Sequence, residues 1–301
     1  MGGFDRPILK RASAILALTL LVGTALHILN RMDSRDEFVR AHVHEALLFG
    51  DSHADNVPWG GRPRFSAPAQ DLFATLKMLE ELAESRTEES KVHTCVITIW
   101  PNKFSPLAER RISGRIQKDG WGANAFGRVA PLMKFSDFFR SEVTWRYRLR
   151  MAFHTLQFKT TWAWFDKACH HESVSPDFFR GLSEQMMHTQ WFAKAHTTRA
   201  LFERIVDHTA RENLRLILVE NPSHPCYYQQ VYPPALHAYQ TFVDSVLAGH
   251  PDALFINLND STRSQPFPAH LPHSHELFTD YHHLTCKGEA LVGDVLTSIL
   301  D

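Results

Sequence analysis

Ala46-Leu47-Leu48-Phe49-Gly50-Asp51-Ser52-His53 is the stretch on which the reading of this chain turns. A short apolar run that stops at glycine and aspartate is the pattern of a buried strand ending in a turn. A serine at the carboxyl end of such a strand opens onto the crevice where α/β sheets hold their ligands. Taken alone, Gly50-Asp51-Ser52 also fits an ordinary turn with a helix cap, because Asp and Ser both favour those positions.

Working outward, a loop rich in Pro58, Gly60, Gly61, Pro63 and Pro68 follows. Asp71 to Leu82 carries Leu72, Leu76, Leu79 and Leu82 at helical spacing, with Phe73 and Met78 widening the stripe, and predicts an amphipathic helix. His93 to Trp100 predicts a second strand. The C-terminal third repeats the alternation, with a strand over Leu214–Val219, a helix over Pro234–Leu247, a strand over Ala253–Leu258 and a final helix over Gly288–Leu300. Alternation of this kind with apolar strands predicts an α/β three-layer sandwich around a central parallel sheet. Between them, residues 105–212 predict a mostly helical insertion rich in aromatics such as Phe138, Phe139, Trp162, Trp164 and Phe165, read as a cap with its own core rather than a lipid- or partner-facing surface. Within it Val143 to Met151 alternates apolar residues with Thr144, Arg146, Arg148 and Arg150, a period-two signal for a local strand.

Upstream, Ala12 to Leu29 is free of charge and follows Arg6, Lys10 and Arg11. As a helix it would reach ~27 Å, close to the ~30 Å of a hydrocarbon core, so residues 1–30 predict a single membrane anchor. A cleaved signal peptide is the rival; its apolar stretch is usually shorter, and no small-x-small site follows Leu29. The basic residues before the run favour a cytoplasmic N-terminus, although Arg31, Arg35 and Arg40 on the other side oppose this. Residues 31–44 are expected to form a short juxtamembrane helix or stalk, with the folded domain over 45–301 on the extracytoplasmic side of an inner or plasma membrane. Of the 301 residues, 44 % are hydrophobic and 22 % charged, and a formal charge of −1 gives no electrostatic footprint for nucleic acid. The four cysteines, Cys95, Cys169, Cys226 and Cys286, have no C-x-x-C spacing. In an exported domain, Cys226 and Cys286 could pair.

The second informative block is Asp280-Tyr281-His282-His283-Leu284-Thr285, just before the last helix. Asp and His three residues apart can share one side of a helical turn, so that the carboxylate holds one imidazole nitrogen while the other faces a nucleophile. That spacing selects His283 over His282. Together the two blocks resemble the SGNH/GDSL hydrolase superfamily, over roughly residues 45–103 and 213–301. The Gly-Asp-Ser-His-Ala form behind an N-terminal anchor is most similar to the branch with the alginate O-acetyltransferases and the D-alanyl transfer proteins of teichoic acid synthesis. The resemblance implies Ser52 as nucleophile, His283 as base and Asp280 as its orienting partner. No cofactor or metal is implied.

The superfamily also places a glycine in a second block to complete the oxyanion hole. Here the equivalent stretch is Ser66-Ala67-Pro68-Ala69-Gln70, without glycine, so a backbone N–H of Ala69 or Gln70 would have to serve. The third block's amide corresponds to Asn102 in Ile99-Trp100-Pro101-Asn102-Lys103, and the Ser52 N–H is the remaining oxyanion donor. What this implies is an esterase or O-acyltransferase on an acyl-ester or carbohydrate substrate of the cell envelope, with a membrane-bound acyltransferase as a possible partner. Two rivals stand beside it. Asp51 and His53 could instead ligate a metal of a phosphoesterase, with His42, His44, His273 and His275 available. Alternatively the domain could be a non-catalytic scaffold of a polysaccharide-modifying complex.

Overall fold

The computed structural model describes residues 6–55, 57–66, 70–112, 129–134, 136–137, 144–147, 192–224, 233–260, 275–279 and 283–300. Its centre is a five-stranded, wholly parallel sheet of β1 (Ala46–Gly50), β2 (Arg64–Ser66), β3 (Thr94–Thr98), β4 (Arg215–Glu220) and β5 (Leu254–Asn257). The spatial order is β2-β1-β3-β4-β5. The helices are α1 (Arg6–Ala41), α2 (Ser52–Asp55), α3 (Leu72–Glu84), α4 (Pro106–Ile112), α5 (His196–Arg211), α6 (Pro233–Leu247) and α7 (Cys286–Leu300).

Because side chains alternate along a strand, each central strand feeds two cores. Leu47, Phe49, Cys95, Ile97, Leu216 and Leu218 point to one face, where α3, α5 and α6 cover them. Ala46, Leu48, Val96, Ile217, Val219 and Ile256 point to the other, covered by Val292, Val295 and Leu296 of α7 and by Ala54, Val57 and Trp59 after β1. Burial on both faces is why these strands are near-continuously apolar. Cys95 belongs to the first core, and burial pushes its thiol up to about 12, so it is an inert packing residue.

The predicted α3 is present, capped by Asp71, whose side chain accepts from the Ala74 N–H at 2.8 Å. β2 is an addition: Arg64–Ser66 was expected to be loop, since three residues are too few to show a period and this edge strand exists only by pairing with β1. The local strand expected over Val143–Met151 is contradicted in its described part, where residues 145–147 are helical. Tyr147 is buried there. Its hydroxyl donates to Asp71 at 3.0 Å and its ring meets Phe73 edge-on at 5.3 Å, a tertiary contact that overrides the local alternation. The flanks of the insertion join the main core through Phe104, Phe192, Phe202 and Phe242, each of whose rings lies within 5.8 Å of at least two of the others. The aromatics at 138, 139, 162, 164 and 165 lie outside the described residues.

At the N-terminus one continuous helix runs from Arg6 to Ala41, long and apolar enough to cross a membrane, with a mean hydropathy of 1.8 over its best window and apolar side chains such as Ile15, Leu18 and Leu21 exposed. Its last turns enter the domain: Ser34, Phe38 and Ala41 are buried, and Phe38 stacks on Phe65 at 4.4 Å, which in turn stacks on Phe49 at 5.3 Å. Three rings thus tie the helix to the edge strand and to β1. A chain starting at Asp33 keeps this stack, whereas one starting at Glu45 loses it, so the second should melt well below the first. Phe38→Ala in the longer form should cost about 3–5 kcal/mol, read by denaturant unfolding. Equal stability of the two truncations would show that α1 is only a tether.

Candidate active site

In a parallel sheet of this order, chain connections leave in opposite directions from β1 and β3, and the crevice outside their carboxyl ends is where ligands bind. β1 delivers Gly50 to that edge and the chain passes at once into α2, of which Ser52 is the first residue. The turn is tight. A Cβ on Gly50 would come within 2.0 Å of the Thr98 hydroxyl and 2.8 Å of the Ala54 Cβ, so only glycine lets α2 fold back against β3.

Asp51 caps α2, its Oδ1 accepting the His53 N–H at 3.1 Å, and the same oxygen meets His53 Nδ1 at 2.6 Å. Oδ2 accepts from Trp100 Nε1 at 3.0 Å and pairs with Lys103 Nζ at 2.7 Å. Lys103 Nζ also donates to the Gln70 carbonyl. Burial on its own pushes the Asp51 carboxyl up, but the Lys103 ammonium, then His53, outweigh it through charge and hydrogen bonds and hold it well below the usual carboxylate range. One buried carboxylate therefore binds the turns that follow β1, β2 and β3.

His283 arrives from the far end of the chain. A bridge between Phe278 and Leu284 closes its loop; the Thr279 N–H donates to the His283 carbonyl at 2.9 Å, and Thr285 N–H to that of Leu277 at 2.9 Å. Gly288, at the start of α7, lets the helix approach, since a Cβ there would lie 2.5 Å from the Leu277 carbonyl. Cys286 is held in a disulfide whose partner lies outside the described residues. The half-buried His283 ring lies nearly parallel to that of His53, with centroids 5.6 Å apart at 14°, and His53 also tilts against Trp100 at 4.6 Å. The His53 carbonyl accepts from Asn221 Nδ2 at 2.9 Å. Asn221 itself is fixed through its carbonyl by Asn259, which also donates to Glu220 at 3.1 Å.

Of the residues singled out in the sequence, Ser52 begins α2 and His283 lies against His53, the residue that follows it. Asn102 lies in the single 3-10 turn (Pro101–Phe104) after β3, half-buried, between two residues that contact Asp51. Asp280, His282 and Ala69 lie outside the described residues. Gly60 and Gly61, with φ of 58° and 74°, turn the chain towards β2. Sequence reasoning missed Trp100, Lys103 and Asn221; the available signal was a lysine and a tryptophan flanking Pro101-Asn102 directly after an apolar strand.

Comparison with known proteins finds no match to a family model or to a curated protein. The site therefore stands on its own chemistry. His42 lies at the opposite end of β1, bonded to Ser90 and Ser85, and among the described residues no three His, Cys, Asp or Glu side chains are grouped to hold a metal ion.

Lys103→Met should leave the Asp51 carboxylate buried with one cation fewer, at a cost of about 3–5 kcal/mol. Since the folded value of Asp51 lies below its unfolded value of about 3.9, its stabilisation is complete above that pH and is lost as pH falls towards the folded value. Melting temperature measured against pH should show this acid-side loss in the parent, and a smaller loss that ends at a higher pH in Lys103→Met. Superimposable curves would remove Asp51 from its central role.

Proposed function

We propose that this chain is a serine-dependent acyl-ester hydrolase or O-acyltransferase of the SGNH/GDSL type, anchored in a membrane by its N-terminal helix. The observation that carries the reading is the stacking of His283 on His53 at the carboxyl end of β1, beside Ser52 in a parallel sheet. His53 and His283 are separated by nearly the whole domain in sequence, and their contact supports the approach of base to nucleophile that a triad requires.

In the proposed mechanism His283, oriented by Asp280, takes the Ser52 hydroxyl proton as Oγ attacks the ester carbonyl. The tetrahedral oxyanion is stabilised by the Ser52 N–H and Asn102, with a backbone N–H of Ala69 or Gln70 as the further donor. One such donor is worth about 10²–10³ in turnover. Collapse returns the proton from His283 to the departing alcohol and leaves an acyl-enzyme. Water then completes hydrolysis, or a carbohydrate hydroxyl completes transfer. The Cys286 disulfide supports an oxidising, extracytoplasmic compartment for the domain, and hence a cell-envelope substrate. A membrane-bound acyltransferase is the kind of partner that would supply acyl groups there.

Ser52→Ala, His283→Ala and the double variant should each lose about 10³-fold or more of the hydrolysis of 4-nitrophenyl acetate, and to nearly the same extent, because a nucleophile and its base are useless singly. Asp280→Asn should keep the fold and lose about 10²–10⁴-fold. Retained turnover in Ser52→Ala, or abolition of the parent's activity by a chelator, would transfer the site to metal chemistry.

A further inference from the structure

His53 is a second imidazole in the site, and neither the capping of α2 nor the triad accounts for it. It is buried, although histidine after a nucleophile could as easily point to solvent. Every part of it is fixed. Nδ1 meets the Asp51 carboxylate at 2.6 Å, which makes it the protonated nitrogen, and the backbone carbonyl is held by Asn221 at 2.9 Å. Trp100 leans on the ring at 4.6 Å, and Trp100 is itself pinned by its indole N–H to Asp51 at 3.0 Å. His283 is carried on a loop bonded to its carbonyl, and the residue is partly exposed. His53 is the more deeply buried ring of the pair.

We infer that His53 is a positioning residue for the base: its face, clamped by Asp51 and Trp100, sets the plane of the His283 imidazole and so the direction of its reacting nitrogen towards Ser52. This rests on the functional reading above. The 14° between the two rings and their 5.6 Å separation are the geometry of an offset stack, and such contacts contribute beyond the area they bury. Angular error in a base is costly, because displacement of about 1 Å can lose ~10²-fold in rate.

The bond to Asp51 and the stacked face can be separated with two substitutions. His53→Asn keeps an N–H donor near the Nδ1 position and loses the ring; His53→Phe keeps the ring and loses the donor. The measurements are steady-state kinetics with 4-nitrophenyl acetate, the rate of covalent labelling by a fluorophosphonate probe, and the melting temperature of each variant of the Asp33 form. The expected result is a crossover. Phe, with Asp51 missing a partner, melts lower than Asn yet keeps kcat within about threefold of the parent, whereas Asn loses about 10²-fold in kcat and in labelling with little change in KM. A merely structural histidine would give the same order for stability and for activity. Asn retaining the parent's kcat, or Phe losing as much as Asn, overturns the inference while the parent still labels at Ser52. Failure of the parent to label at Ser52 at all overturns the functional reading and the inference with it.

Discussion

Everything at the carboxyl end of β1 and β3 hangs on the buried carboxylate of Asp51. Its two oxygens receive four donors from three places: the His53 backbone and ring, the Trp100 indole and the Lys103 ammonium. A buried charge is tolerable only when it is paired and hydrogen-bonded, so once Asp51 is committed to the interior these segments must converge on it. The same residue that caps α2 therefore fixes the turn after β3 and, through Lys103 and the Gln70 carbonyl, the end of the loop after β2. That convergence orders the backbone around Ser52.

The framework was largely legible in the sequence because its signals are local. Four of the five strands and the helices α3, α6 and α7 follow from apolar runs and helical spacing within each segment. What could not be seen depends on pairing. β2 has three residues and no pattern of its own, and Lys103 looks like any surface lysine until β1 and β3 align to put Asp51 beside it. The anchor shows the same contrast. Composition divides it at Leu29, but Ser34, Phe38 and Ala41 are spaced as one face of a helix, and their burial continues α1 into the core.

The site divides in a similar way. Ser52, Asp280 and His283 were singled out through short motifs, whereas Trp100, Lys103 and Asn221, which hold Asp51 and His53, were not. Asp51 and His53 had suggested a metal pair, and the structure spends them on each other. The reason is chemical: a carboxylate two residues from an imidazole can chelate an ion or bind the ring, and the neighbouring Lys103 already supplies the positive charge that an ion would bring.

The most direct test of Ser52 as a nucleophile served by His283 is the crystal structure of the domain after reaction with a fluorophosphonate. The account predicts phosphorus bonded to Ser52 Oγ, a His283 nitrogen within about 3 Å of Oγ or of the phosphonate's alkoxy oxygen, and the phosphonyl oxygen facing the Ser52 N–H and the Asn102 side chain. An unmodified Ser52, or an adduct there with His283 turned away from it, would contradict the claim.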